Sequence, residues 1–359
     1  MRFVTGFPGF LGAVLVERLL QRSNEPVVCL VEPRFAGTAR AAAARLEAIA
    51  ARPGVLRIVE GDVTRPDLGL GVPSWQRDVT AVYHLAAAYD LAVEAAPAER
   101  VNVDGTRHVL RFWEGMPGLA RLHYVSTCYV CGTHTGVFRE ADLDVGQGFF
   151  NHYERTKFLA EVEVRRAMAD GLPATIYRPS VVVGDARTGE TQKYDGPYGV
   201  IRWLLRWPHT APLPVPGDPY ASYVNLVPRD FVTAAFDALA HDATTLGKTI
   251  ALADHTPLTV DATIRVLESA TGRRVQRVPV PMALAAGTLH RVPALEAWLG
   301  ITAASLPYFA HRARFDTREA DAHLRPHGVS CPRFEAYAAR LVAFIRAHPK
   351  PAGAPLSGG

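Results

Sequence analysis

A tyrosine and a lysine stand four residues apart in YERTK, at Tyr153 and Lys157. On a helix that spacing puts both side chains on one face. A phenol beside an ammonium can act as a proton donor, because the positive charge lowers a tyrosine pKa from its ordinary value of about 10. Hydride transfer to a carbonyl leaves an alkoxide that needs such a proton. A hydroxyl bonded to the carbonyl oxygen would also hold the reacting group in place. The stretch RLHYVSTCYVCG offers Ser126 and Thr127 for that task. Neighbouring side chains on a strand face opposite ways, so only one can serve, and Thr127 is the candidate. Tyr-x-x-x-Lys by itself is common on exposed helices; its setting gives it weight.

That setting begins at Thr5-Gly6-Phe7-Pro8-Gly9-Phe10-Leu11-Gly12, a G-x-x-G-x-x-G turn between an apolar strand and an amphipathic helix. Glycine permits positive φ in the turn, close approach of backbone to a pyrophosphate, and close packing of helix on sheet. The free N–H groups and dipole of the helix then favour the anion. Glu32 ends the next strand, where a carboxylate can bond the ribose 2′-hydroxyl of NAD(H). Arg34 follows two residues later, and an arginine can hold the 2′-phosphate of NADP(H). Both cofactors stay open, with NADP(H) slightly preferred. Asp62 and Val63, in GDV after the third strand, could meet the adenine, or Asp62 could simply close a turn.

The elements that must carry these groups can be read from hydrophobic periodicity. Strands are expected at 2–5, 26–33, 55–63, 81–87, 121–132 and 173–184. Helices are expected at 10–22, 39–52, 99–116 and 153–171. Apolar, β-branched strands alternating with helices over about 180 residues predict an α/β fold, a Rossmann-type doubly wound parallel sheet. After residue 184 the sequence turns rich in Pro, Gly and Tyr. The expected organisation is a dinucleotide-binding core over 1–184, rejoined by 224–245. A smaller C-terminal α/β substrate lobe follows from 185–223 and 246–347, then a flexible tail over 348–359.

Bulk properties narrow the function. The chain has 359 residues, 48% hydrophobic and 21% charged, with a net charge of +4, ordinary values for a globular protein. Its arginines are dispersed, so no nucleic-acid footprint is expected. No apolar run is long enough for a membrane span. The start, MRFVTGFPGFLG, reads as a structural motif rather than a signal peptide. Four cysteines fit a reducing, cytoplasmic setting. Cys128 and Cys131 form a C-x-x-C without two further ligands at suitable spacing, so packing is expected and no metal.

Taken in order, TGFPGFLG, GDV, YHLAA, NVDGT, VSTCYVCG, YERTK and YRPSVVVG resemble the motifs of extended short-chain dehydrogenase/reductases. The closest likeness is to the fatty acyl-CoA reductase and thioester-reductase-like ("male sterility") branch. The resemblance implies a catalytic set of Thr127, Tyr153 and Lys157. It implies that Lys157 also bonds the nicotinamide ribose, that His84, Leu85, Ala86 and Ala87 border the cofactor, and that Asn102 belongs to its site. It further implies that Arg178, Pro179, Ser180 and Val181 line the nicotinamide. Members of the branch reduce acyl thioesters, generally with NADPH, and commonly carry an arginine where this chain has Glu32. The expected function is NAD(P)(H)-dependent reduction of an aldehyde, ketone or acyl thioester on a lipid-like or polyketide-like substrate. Trp298, Leu299, Tyr308 and Phe309 are candidates for an apolar pocket wall. The alternatives are an NAD-dependent nucleotide-sugar epimerase or dehydratase and, last, a non-catalytic cofactor sensor. A homodimer is a family-based expectation.

Overall fold

The computed structural model describes residues 1–291, 296 and 302–349. Trp298, Leu299 and most of the expected tail lie outside them. Seven strands form one sheet: β1 (Arg2–Thr5), β2 (Val27–Val31), β3 (Leu56–Glu60), β4 (Ala81–His84), β5 (Arg121–Val125), β6 (Ala174–Pro179) and β7 (Thr249–Leu252). Their order is β7-β6-β5-β4-β1-β2-β3, and every pairing is parallel. β1, β2 and β6 are buried along their whole length, which suits the wholly apolar β2 and requires partners for the polar residues of β1 and β6. Winding reverses between β1 and β4. The carboxyl ends at that switch point, Thr5 and His84, flank the crevice where open α/β sheets take ligands.

Helices α1 (Phe10–Arg22), α2 (Ala36–Ile49), α3 (Gly105–Phe112) and α4 (His152–Ala169) cover the sheet. The helix expected over 99–116 contains a π-helical turn at Glu99–Asp104 before α3. The second lobe is built by α5 (Pro197–Leu205), α7 (Val260–Thr271), α9 (Phe334–Ala347) and a parallel pair of strands, Thr210–Pro216 with Arg274–Val280. Its own core includes Ile201, Leu204, Leu213, Ile264, Tyr337 and Leu341. The Thr259 side chain accepts from the Ala262 N–H at the start of α7, and Gly272, at φ +68°, ends it, as the sequence signals imply.

Several boundaries differ from expectation, among them those of β4 and β5, which stop at His84 and Val125 rather than at 87 and 132. First, β7 and helix α8 (Arg318–Leu324) belong to the core, although the sequence pattern places 246–347 in the substrate lobe. β7 pairs with β6, and Ala320 and Leu324 pack in the core beside it. The Glu140 carboxylate joins them by accepting the N–H groups of Ala251, Glu319 and Ala320. A four-residue strand among loops carries too little periodicity to announce itself. Second, the strand expected over 173–184 breaks at Ser180, whose N–H donates to Leu252 and whose hydroxyl donates to Asn225 Oδ1 at 2.8 Å. Beyond it Val181–Val183 pairs with Leu226–Pro228. That pair leads into helix α6 (Arg229–Ala240), which packs on α1 at the core. Third, the strand expected over 55–63 stops at Glu60.

α4 is locked to the sheet by an ion pair with almost no exposure. Glu161 accepts from Arg178 Nε at 3.0 Å and Nη2 at 2.6 Å, from Ser126 Oγ at 2.6 Å and from Arg165 Nε at 3.0 Å. Glu161 is 0% and Arg178 1% exposed. Removing one partner of such a pair strands the other charge, at a cost of about 3–5 kcal/mol. Arg178→Ala is therefore expected to lose about 3–5 kcal/mol in urea unfolding, whereas a loss below about 1 kcal/mol would match an exposed pair.

Candidate active site

Thr127, Tyr153 and Lys157 meet at the carboxyl end of β5. α4 starts with a reciprocal cap: Asn151 Oδ1 accepts from the Glu154 N–H at 2.9 Å, and Glu154 Oε2 accepts from the Phe150 N–H at 3.0 Å. That cap fixes Tyr153 in the first turn, with Lys157 and Glu161 following at one-turn intervals on the same face. Because Ser126 faces Glu161, Thr127 faces the cleft. Its hydroxyl is near enough to the Tyr153 phenol to oppose the effect of burial on it. It also accepts from the Tyr129 N–H at 3.2 Å and donates to the Pro179 carbonyl at 3.4 Å.

The electrostatics differ from the expectation of a tyrosine acidified by its lysine. Burial pushes the Tyr153 phenol up to about 12, with Thr127 opposing. Burial brings the Lys157 ammonium down to about 7, against the pull of Glu161. Lys157 Nζ donates to Tyr124 Oη at 2.9 Å and to the Val125 carbonyl at 2.7 Å, and lies 4.4 Å from the Tyr124 ring centroid. Tyr124, which no sequence motif singles out, is thus the lysine's nearest side-chain partner.

The glycine turn closes on itself. Gly6 has φ +87°, and a Cβ there would meet Ala86 N and Leu85 C at 2.8 Å. A Cβ on Gly12 would stand 2.3 Å from the Gly6 carbonyl oxygen, and one on Gly9 would stand 2.8 Å from it. α1 has no side-chain cap and no acidic residue in its first turn. This bare N-terminus fits the pyrophosphate of a dinucleotide. Phe7 is buried beneath the turn and Leu11 packs on the core.

Several expected cofactor residues prove to be supports. Thr5 is wholly buried. Its Oγ1 lies 2.7 Å from His84 Nδ1 and accepts the Leu85 and Ala86 N–H groups, each at 3.2 Å. His84 Nε2 lies 3.1 Å from Thr106 Oγ1, whose own proton goes to the Asn102 carbonyl at 2.6 Å. The histidine therefore donates from Nε2 and accepts at Nδ1. Burial, then the Lys157 charge, lower its pKa to about 3, so the imidazole is neutral. The Asn102 amide is consumed by both backbone groups of Ala88 and by Thr156, which holds the Ala86–Ala88 segment at the cleft's edge. Arg178 points away from the cleft into the Glu161 pair. Asp62 Oδ1 accepts the Thr64 N–H at 2.8 Å, a turn role, and Val63 is buried against Gly105. Pro179 presents its carbonyl to Thr127, and Val181 packs between the two lobes. Leu85 and Ala86 pack partly on the core, and Ala87 is half-buried at the end of β4.

At the adenosine end, Arg34 Nε bonds Glu32 Oε2 at 2.7 Å, and its guanidinium lies 4.7 Å from the Phe35 ring centroid. Arg40 pairs with Glu60 in the same way. At the other end an aromatic cluster adjoins the start of α4. Tyr308 Oη donates to Glu154 Oε1 at 2.5 Å and accepts from Asn151 Nδ2 at 3.0 Å. Tyr129 stands edge-on to Tyr308, with centroids 5.0 Å apart, and Phe150 and His311 complete the group. The Asn-x-x-Glu cap was readable in the sequence; its tie to Tyr308, over 150 residues away, was not. Cys128 and Cys131 sit in an apolar cluster with their thiols pushed up by burial.

The model of an NAD-binding family described as male sterility protein matches residues 4–273. The chain belongs to this family. Among curated relatives, it is 28% identical over 214 residues to a component of the linear gramicidin synthase of Brevibacillus parabrevis, covering 54% of this chain and 4% of that protein. It is 28% identical over 243 residues to fatty acyl-CoA reductase wat of Drosophila melanogaster, covering 55% of this chain and 46% of that one. The chain thus spans less than half the length of either. Among solved structures it is similar to the terminal R domain of the myxalamid PKS-NRPS pathway, with a TM-score of 0.81 and 25% identity over 97% of this chain and 90% of that one. UDP-glucuronic acid 4-epimerase from Bacillus cereus shares the fold, at a TM-score of 0.69 and 20% identity over 99% of each chain. Among the described residues no helix is long and apolar enough to cross a membrane.

A dinucleotide held by the Lys157 ammonium would bind in a pH-dependent way. If the ammonium form holds the dinucleotide, affinity is full below about pH 7, where the free site is already protonated. Above that it falls about tenfold per pH unit until the complex itself loses the proton. Fluorescence titrations from about pH 6 to 9 are expected to show this slope, and Lys157→Met to abolish it. A flat wild-type profile would mean that the lysine takes up no charge on binding.

Proposed function

We propose that this chain is an NADPH-dependent reductase of a carbonyl, above all an acyl thioester or aldehyde, borne on a lipid-like or polyketide-like chain. The observation that carries the reading is the Thr127 hydroxyl beside the Tyr153 phenol on the cleft side, one turn of α4 before Lys157. The bound nicotinamide supplies a hydride. Thr127 and Tyr153 then hydrogen-bond the carbonyl oxygen together, and the phenol gives up its proton as that oxygen becomes an alkoxide. A phenol held near 12 stays protonated until the stronger base forms. The Lys157 ammonium, bonded to Tyr124 and Val125, orients the ribose and stabilises the resulting phenolate. His84, neutral and doubly bonded, holds the ends of β1 and β4 in register without adding charge.

Substrate class and cofactor choice rest on different features. The cluster of Tyr129, Phe150, Tyr308 and His311 offers an apolar wall beside the start of α4, suited to an acyl chain. Fatty acyl-CoA reductase and the R domain of a biosynthetic assembly line, both similar to this chain, point the same way. For the cofactor, Glu32 is already neutralised by Arg34, which removes the repulsion a 2′-phosphate would meet. Arg34 and Arg40 are the cations nearest in sequence to take it.

Purified protein is expected to oxidise NADPH with a long-chain acyl-CoA or aldehyde. Tyr153→Phe should lower kcat by about 10²–10⁴, the usual share of a positioned proton donor. Arg34→Ala should weaken NADPH binding about tenfold and leave NADH little changed, as expected for one charge-assisted hydrogen bond. Rapid turnover of UDP-sugars without net cofactor consumption would overturn the reductase reading in favour of an epimerase.

A further inference from the structure

Two cations that none of the dinucleotide motifs supply converge on the first residue of α1. Arg229, at the start of α6, sets its guanidinium 5.5 Å from the centroid of the Phe10 ring. Lys193, in the connection over 184–196, sets its ammonium 5.7 Å from the same ring and 3.4 Å from the centroid of Tyr89. Phe10 is the first residue of the helix behind the glycine turn, and Tyr89 follows the HLAAA segment after β4. Both cations therefore stand over the entrance of the dinucleotide cleft.

Neither cation is well paired. Arg229 is only 8% exposed, and among the described residues its guanidinium meets a ring but no carboxylate. Its neighbour Asp230 is turned to the Ala186 N–H. Lys193 reaches Asp195 only at 3.9 Å, and burial draws its ammonium toward the neutral form. A buried guanidinium without an anion is costly. Its position beside a helix N-terminus that has neither cap nor acidic residue suits an anionic ligand. The lysine is also held in place. The Thr191 hydroxyl donates to the Lys193 carbonyl and accepts its N–H, at 3.0 and 3.1 Å. The connection is pinned upstream where Gly189 lies against the Arg340 backbone of α9.

We propose that Lys193, from the substrate lobe, and Arg229, from the core helix α6, clamp the pyrophosphate of the dinucleotide above Phe10, so that the nucleotide itself ties the two lobes together. The proposal rests on the dinucleotide-dependent reading above and assigns it two residues outside its motifs. The cation–π contacts with Phe10 and Tyr89 hold the charges in place before the ligand arrives.

Calorimetric titration of the full chain with ADP-ribose, which carries the pyrophosphate but no nicotinamide, tests it. Adenosine, followed by saturation-transfer NMR, is the phosphate-free control. Lys193→Gln and Arg229→Gln should each weaken ADP-ribose about tenfold, the scale of one charge-assisted contact, and leave adenosine unchanged. Lys193→Arg and Arg229→Lys, which keep the charge, should retain most of the affinity. Unchanged ADP-ribose affinity in both glutamine variants would overturn the clamp. So would equal losses for ADP-ribose and adenosine, or a raised KM for acyl-CoA with nucleotide binding intact. Failure of the wild-type chain to bind either probe would instead strike at the dinucleotide reading itself.

Discussion

The carboxylate of Glu161 is the point on which the catalytic geometry hangs. It has no water to solvate it, so its lone pairs must be filled by the protein, and four donors from Ser126, Arg165 and Arg178 fill them. Each donor fixes something. Ser126 is turned toward α4, so strand alternation turns Thr127 into the cleft. Arg178 is drawn off the cleft toward α4. The helix is pinned at its third turn, so Lys157 and Tyr153, one and two turns earlier, arrive at the end of β5. The same carboxylate favours the charged form of Lys157 against burial. A neutral residue there would leave Arg178 without its partner and the lysine without its counter-field.

Burial biases the site toward neutral groups. It raises the Tyr153 phenol, lowers the Lys157 ammonium and lowers the His84 imidazole. The expectation of a tyrosine acidified by its lysine treats the pair as though it stood alone. In the folded protein the lysine is committed to Tyr124 and Val125, and desolvation outweighs the attraction between side chains. A phenol that keeps its proton suits a donor to a nascent alkoxide. A lysine balanced near neutrality takes its charge readily when anionic or hydroxyl-bearing ligands reach it.

What the sequence made legible follows from how local each signal is. The glycine turn could be read because positive φ at Gly6 and the tight contact at Gly12 leave no room for a Cβ. Tyr153 and Lys157 could be read because helical spacing is itself a contact rule. Strand alternation limited the choice to one of Ser126 and Thr127, and the bond from Ser126 to Glu161 leaves Thr127 for the cleft. The supporting roles of Thr5, Asn102 and Arg178 could not be separated from ligand roles, because motif membership does not tell which way a side chain points. β7 escaped notice because four residues, three of them apolar, carry no readable period, and its place is set by β6 and by Glu140, more than a hundred residues upstream. Lys193 sits in a loop whose composition signals only irregular backbone.

The second lobe reaches the chemistry at two places, and each acts on a helix N-terminus. Tyr308 bonds Glu154, the residue that caps α4 and follows Tyr153. Lys193 bears on Phe10, the first residue of α1, with its ammonium 5.7 Å from the ring centroid. Burial raises the Glu154 carboxyl to about 7, so its bond from Tyr308 joins two groups that both lack solvent. Withdrawal of Tyr308 would leave that carboxyl short of a donor and loosen the cap that sets Tyr153. The lobe that faces the substrate is thus mechanically continuous with both the proton donor and the nucleotide turn. One apolar core, packed by α5, α7 and α9, lies behind both places.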